Sequence, residues 1–120
     1  MERENTILIT GASGLLGRSL TVRLKAVGNV VAAGFSDLAA GLFPVDLRDG
    51  EALKGLLKEA KPDIVVHSAA YRDPDFCEVN PEEAFRLNVA PVARFCELLA
   101  ETVPLLFISS DYVFEGTAAP

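Results

Sequence analysis

TGASGLLG, residues 10–17, stands between the apolar run Ile7-Leu8-Ile9 and the helical pattern RSLTVRL of 18–24. Its glycines fall at 11, 14 and 17. A strand that passes into a helix through such a turn leaves backbone N–H groups pointing past its carboxyl end, with the positive end of the helix dipole behind them. That arrangement suits a pyrophosphate. Gly11 permits the sharp turn, Gly14 lets the backbone approach phosphate oxygens with no Cβ between, and Gly17 lets the helix pack close to the strand. Ser13 adds a hydroxyl donor. The same glycines in a bare turn would need no ligand; the strand before, the helix after and the repetition of that pair along the chain are what point to a dinucleotide.

Outward from this turn, TILIT (6–10), NVVAAG (29–34), LFPV (42–45), DIVVH (63–67) and PLLFIS (104–109) read as strands. Helices are expected over 15–26, over 50–60 with Leu53, Leu56, Leu57 and Ala60 on one face, and over 81–101 with Phe85, Val92, Phe95 and Leu99 at helical spacing. Continuous apolar strands alternating with helices imply a parallel sheet covered on both faces. Right-handed crossovers then give an α/β Rossmann-type doubly wound sheet of about five strands in the order 3-2-1-4-5, with its switch point between the first and fourth strands. Ligands of such sheets bind at the carboxyl ends of the strands. The segment YRDPDFCEVNP (71–81) reads as an irregular loop, Pro81 suits the first turn of the long helix, and Pro91 should kink it.

With 120 residues, the chain is one domain at most, and half its residues are hydrophobic against 23% charged. The net charge of −6, with the 11 Lys and Arg scattered, argues against a nucleic-acid or anionic-membrane surface. Small anionic ligands are compatible with it, because backbone amides bind them locally. No apolar run approaches the roughly 18 residues of a membrane span, and MEREN followed at once by a strand is not a secretory signal. The expected location is the cytoplasm. Cys77 and Cys96 are too few and too separated for a disulfide framework or a metal site, so both read as reduced and buried.

Two polar residues stand out on apolar elements. Asn88 interrupts the 85–88–92–95–99 stripe, and a buried amide must find partners or cost about 1–3 kcal/mol. It should therefore be holding something in place, a neighbouring strand being the structural possibility. His67, the only histidine, ends an apolar strand and reads as a satisfied core residue.

The GxxGxxG spacing, followed in order by DLRD (46–49), HSAAY (67–71), FRLNVAP (85–91) and FISSDYVFEG (107–116), resembles the extended branch of the short-chain dehydrogenase/reductase superfamily. SSDYVFEG in particular resembles the dTDP-4-dehydrorhamnose reductases and the related regulatory beta subunit of methionine adenosyltransferase. The likeness covers essentially the whole chain. It implies that Gly11, Ser13, Gly14, Leu15, Leu16 and Gly17 cradle the cofactor pyrophosphate. Phe35 and Ser36 would flank the adenosine ribose and Asp46 and Leu47 the adenine, while Ser68, Ala69, Ala70, Tyr71 and Asn88 would line the rest of the cofactor. Asp49 is the better N-cap for the following helix, which leaves Asp46 free.

In that family an acid at the end of the second strand holds the ribose hydroxyls of NAD, and its absence leaves room for the 2′-phosphate of NADP. Gly34 takes that position, so NADP(H) is favoured over NAD(H). Asp37 is either a ribose contact or a solvated loop residue, and no arginine follows it to grip a phosphate. Ser110 matches the hydroxyl residue that hydrogen-bonds the substrate carbonyl, which makes it the candidate catalytic and substrate residue. Tyr112 either lines the substrate site or is a half-buried aromatic.

The resemblance also calls for a proton-donating tyrosine with a lysine four residues later. Asp75 follows Tyr71 at that distance and Gly116 follows Tyr112, so neither fits. The expectation is therefore an NAD(P)-binding portion, residues 1–120, of a longer fold whose YxxxK segment and substrate portion come later. The implied activity is reduction of a nucleotide-linked 4-keto-6-deoxysugar, or else a non-catalytic regulatory role. The fifth strand would leave a hydrophobic edge to be covered by further residues, a second copy or a partner.

Overall fold

Thr6–Thr10 forms β1, and all five of its residues are buried, as a central parallel strand requires. The computed structural model describes residues 2–36 and 41–118. After β1 come α1 (Leu15–Leu24), β2 (Asn29–Gly34), β3 (Phe43–Pro44), α2 (Gly50–Ala60) and β4 (Ile64–His67). Then follow α3 (Pro74–Val79), α4 (Pro81–Asn88), α5 (Ala90–Leu98), β5 (Leu105–Phe107) and a 3-10 turn at Asp111–Val113. The five strands are parallel and lie in the expected order β3-β2-β1-β4-β5.

Period-two alternation along β1 sends its side chains to opposite faces. Ile7 and Ile9 pack with Ala12, Ala32 and Val66 under Leu20 and Leu24 of α1. Leu8 joins Ala33, Val45, Leu47, Leu53, Leu56, Val65 and Phe95 on the other face, beneath α2 and α5. Both faces are therefore covered. Asp49 caps α2 as the sequence suggests, accepting from the amides of Glu51 and Ala52.

The long helix expected over 81–101 is instead two, α4 and α5, broken at Val89. Pro91 has no N–H to donate back to Leu87, so the ladder cannot run through it. The break also shifts the phase of the stripe. Phe95 is fully buried and Pro91 nearly so, whereas Phe85 is 58% exposed. The segment 71–81 is not wholly irregular either. Asp73 caps α3 through the amides of Asp75 and Phe76, with Pro74 in the first turn. Cys77 is half-buried, but Cys96 is exposed, contrary to expectation, because it lies one residue past Phe95 and so about 100° around the helix from its buried stripe.

β5 sits at the edge of the sheet with Leu106 53% and Phe107 48% exposed. Among the described residues, no helix is long and apolar enough to cross a membrane.

Candidate functional site

The switch point between β1 and β4 is closed by side chains. The Ser68 hydroxyl donates to the Thr10 carbonyl at 2.6 Å, while Thr10 Oγ1 accepts from the amides of Ser68 and Ala69 at 3.1 and 3.3 Å. These bonds press the start of the loop after β4 against the glycine turn. A Cβ on Gly11, whose φ is +64°, would meet the Ala69 nitrogen at 2.7 Å, and one on Gly17 would meet the Gly11 carbonyl oxygen at 2.1 Å. Neither position admits any other residue without backbone movement. Gly14 differs: a Cβ there would meet only the Gly11 oxygen, at 3.3 Å. Packing alone does not demand a glycine at 14, so the space beside it is available to a ligand. Gly14 is also the N-cap of α1 and offers no side-chain cap, which leaves the first amides of the helix to bond something else.

A cleft of ≈ 1140 Å³ opens at the carboxyl edge of the sheet around this point. The residues the sequence assigned to cofactor or substrate, Asp37 apart, lie along it. The glycine turn contributes Gly11, Ser13, Gly14, Leu15, Leu16 and Gly17; the loop after β2 contributes Phe35 and Ser36, and that after β3 contributes Asp46 and Leu47. Ser68, Ala69, Ala70 and Tyr71 come from the loop after β4, Asn88 from the end of α4, and Ser110 and Tyr112 from the segment after β5. Asp37 lies outside the described residues.

Asp46 is not free. Arg48 donates to it from its backbone amide, from Nε at 2.9 Å and from Nη2 at 2.9 Å. Through Nη1 the same guanidinium reaches Glu83 at 2.6 Å and the Tyr71 hydroxyl at 3.2 Å, and that hydroxyl donates to Glu83 at 2.9 Å. The side-chain bonds from Arg48 hold the carboxyls of Asp46 and Glu83 below their ordinary range. Burial, followed by the bond to Glu83, raises the Tyr71 phenol above its ordinary value. Arg94 steadies the loop by donating to the Arg48 carbonyl at 3.2 Å. The Arg48 guanidinium carbon stands 5.0 Å from the centroid of the Phe35 ring, a cation–π contact that bridges the loops after β2 and β3. Sequence reading missed Arg48. Its signal was the aspartate two residues before it at the start of a turn, where the Asp46 carboxylate accepts from the Arg48 amide and so brings the two side chains together.

Asn88 holds the loop after β4 rather than a strand. Its Oδ1 accepts from the Tyr71 amide at 2.8 Å and its Nδ2 donates to the Tyr71 carbonyl at 3.1 Å. Ser110 caps the 3-10 turn by accepting from the Tyr112 amide at 3.2 Å. The Tyr112 ring is 75% exposed at the cleft rim. His67 is buried beneath the cleft, with Nδ1 on Thr10 and no partner for Nε2 among the described residues. It lies between the Phe95 edge and the Phe107 face, and burial lowers its pKa to about 4. Among the described residues, no three His, Cys, Asp or Glu side chains group as metal ligands would.

Comparison with known proteins agrees with this architecture. Residues 5–120 match the family described as the RmlD substrate binding domain. Methionine adenosyltransferase 2 subunit beta of Xenopus laevis is 39% identical over 115 residues, which cover 94% of this chain and 34% of that protein. A solved structure of a hypothetical dTDP-4-dehydrorhamnose reductase from Sulfolobus tokodaii is 32% identical with a TM-score of 0.83, covering 93% of this chain and 41% of that one. The dTDP-4-dehydrorhamnose reductase of Bacillus anthracis, solved in complex with NADP, is 26% identical with a TM-score of 0.80, covering 98% of this chain and 40% of that one. The chain thus spans about a third of the length of the curated relatives it matches. With its sheet order, its glycine turn and its match from residue 5 to residue 120, the chain belongs to the RmlD substrate binding domain family.

Proposed function

We propose that this chain is the cofactor-binding portion of a reductase that uses NADP(H) to reduce the 4-keto group of a nucleotide-linked 6-deoxysugar. The observation that carries the reading is the single cleft in which the glycine turn after β1 faces the serine-rich segment after β5. The room beside Gly14 and the uncapped start of α1 suit a pyrophosphate. A bound nicotinamide cofactor supplies the hydride that such a reduction needs.

The chain's own residues orient and polarise. Phe35, Ser36, Asp46 and Leu47 border the adenosine end, and Ser68, Ala69, Ala70, Tyr71 and Asn88 lead toward the reacting end. Gly34 ends β2, so no carboxylate stands there to hold ribose hydroxyls, which favours the 2′-phosphorylated cofactor. The Ser110 oxygen accepts from a backbone amide, and its own proton is then available to the substrate carbonyl oxygen as negative charge develops there. Tyr71 is not suited to deliver the proton, because its phenol is tied to Glu83 and Arg48 and its pKa is raised. The exposed β5 edge calls for cover by further chain, a second copy or a partner. A cytoplasmic protein fits this reading.

Two measurements on the protein purified from its source test the proposal: its intact mass against 12.8 kDa, and oxidation of NADPH in the presence of a dTDP-linked 4-keto-6-deoxyhexose. Turnover by a longer chain whose peptides contain YxxxK supports the reductase. Binding of NADPH without turnover, together with a co-purifying synthetase-type partner, supports a regulatory subunit instead. The identity of 39% to an adenosyltransferase beta subunit is what keeps that second reading open. Failure to bind any dinucleotide overturns both.

A further inference from the structure

The adenosine end of the cleft holds a cation that does not come from the loop after β2. Arg48, on the loop between β3 and α2, projects its guanidinium over Phe35, and both residues line the cleft beside Ser36. Four of its five N–H groups are engaged: Nε and one on Nη2 with Asp46, and both on Nη1 with Tyr71 and Glu83. The second N–H of Nη2 has no acceptor among the described residues. An arginine fork held on two carboxylates has already lost its rotamer freedom, so a further hydrogen bond from it costs little ordering.

Charge does not oppose an anion at this point. Asp46 and Glu83 balance Arg48 and Arg86, the latter bound to the other oxygen of Glu83 at 3.0 Å. Arg72 lines the same cleft and adds a positive charge.

We propose that Arg48 selects the cofactor: from the far side of the cleft it supplies the cation that the loop after β2 lacks, and with the Ser36 hydroxyl it favours a dinucleotide whose adenosine ribose carries a 2′-phosphate. The inference rests on the dinucleotide reading above and names the residue that sets its preference. Hydrogen bonds to charged groups are worth about ten- to a hundredfold in affinity.

The test is titration of the chain with NADPH, NADH and adenosine 2′,5′-bisphosphate, followed by calorimetry, on the parent, Arg48→Gln and Ser36→Ala. The parent should bind NADPH at least about tenfold more tightly than NADH, a gap that narrows with salt. Arg48→Gln should weaken NADPH and the bisphosphate by about tenfold more than it weakens NADH, and Ser36→Ala should act in the same direction by a smaller factor. Ser36 is exposed, so its variant reports even where Arg48→Gln fails to fold. A parent without preference for NADPH overturns the proposal. So does an equal loss of both dinucleotides in Arg48→Gln, which would mean that Arg48 acts only by holding Asp46. A parent that binds neither dinucleotide defeats the dinucleotide reading itself, and that result is distinct from the other two.

Discussion

Thr10 Oγ1 lies 2.7 Å from His67 Nδ1, and the direction of that bond is set by its neighbours. The Thr10 oxygen already accepts from the Ser68 and Ala69 amides, so its own hydrogen goes to Nδ1. The imidazole is therefore neutral, with its hydrogen on Nε2 and no acceptor for it among the described residues, packed at an angle to the Phe95 ring and stacked on Phe107. Protonation would put a second donor opposite Thr10 and disturb the bonds that press Ala69 against the glycine turn.

This arrangement makes stability depend on pH in a stated direction. The folded pKa of about 4 lies below the ordinary 6.5, so the unfolded chain binds the proton more readily. The contribution is fully present above pH 6.5 and is lost progressively as pH falls toward 4, by at most about 3 kcal/mol. His67→Leu should cost about 1–3 kcal/mol at pH 7.5, since it orphans the Thr10 hydroxyl. Urea midpoints of parent and variant should converge between pH 7.5 and 4.5. A gap that stays constant would show that His67 does not titrate in this range on unfolding.

The glycine turn predicts a contrast between neighbours. Gly17→Ala places a methyl 2.1 Å from the Gly11 oxygen and should cost about 3 kcal/mol, visible as a lower urea midpoint. Gly14→Ala meets only one protein atom, at 3.3 Å, and should leave the fold within about 1 kcal/mol of the parent. On the proposed dinucleotide reading its NADPH affinity should nonetheless fall by about tenfold or more, because the methyl would enter the space beside the turn that the pyrophosphate would take. An alanine at 14 that binds NADPH as well as glycine does would remove the pyrophosphate from this turn.

Much of the architecture was legible because short-range pattern and burial agree. TILIT and NVVAAG coincide with β1 and β2, and residues 50–60 coincide with α2, down to the Asp49 cap. Where the reading failed, a local rule had been underweighted. Pro91 was expected to kink a helix and in fact separates two, and Asp73-Pro74 carried a helix-start signal inside a segment read as loop. Most of the cleft residues were legible because they lie just past a strand's carboxyl end, and Asn88, at the end of α4, because it broke an apolar stripe. The Arg48–Glu83 pair was not, since its partners are 35 residues apart and meet only when α4 packs beside the loop after β3.

The serine after β5 supplies a prediction about chemistry. On the proposed reductase reading, Ser110→Ala in the source protein should lower kcat for the keto-sugar by about a hundredfold, with NADPH binding little changed, because it would remove a donor to the developing oxyanion. Ser110→Thr keeps the hydroxyl and should retain most of the rate. Equal turnover by the alanine and threonine variants would assign the carbonyl contact to another group.

Asn88 makes two bonds to the backbone of a single residue, Tyr71, beside a weak contact from its Nδ2 to the Cys77 sulfur at 3.9 Å. Its amide accepts from the Tyr71 N–H and donates to the Tyr71 carbonyl, so it replaces a strand partner for a backbone that has left the sheet. Tyr71 is half-buried, and in Asn88→Ala its N–H loses its partner and its carbonyl keeps only the weak bond from the Cys77 thiol, at a cost of about 1–3 kcal/mol. Asn88→Asp preserves the acceptor at Oδ1 but sets an oxygen against the Tyr71 carbonyl, and should fall between parent and alanine at pH 7. Amide exchange at Tyr71 reads the effect directly. It should accelerate strongly in Asn88→Ala while exchange in β1 stays slow, since the loop after β4 opens without the sheet. Unchanged protection at Tyr71 would mean that the glycine turn and the Tyr71–Glu83–Arg48 bonds hold this loop without Asn88.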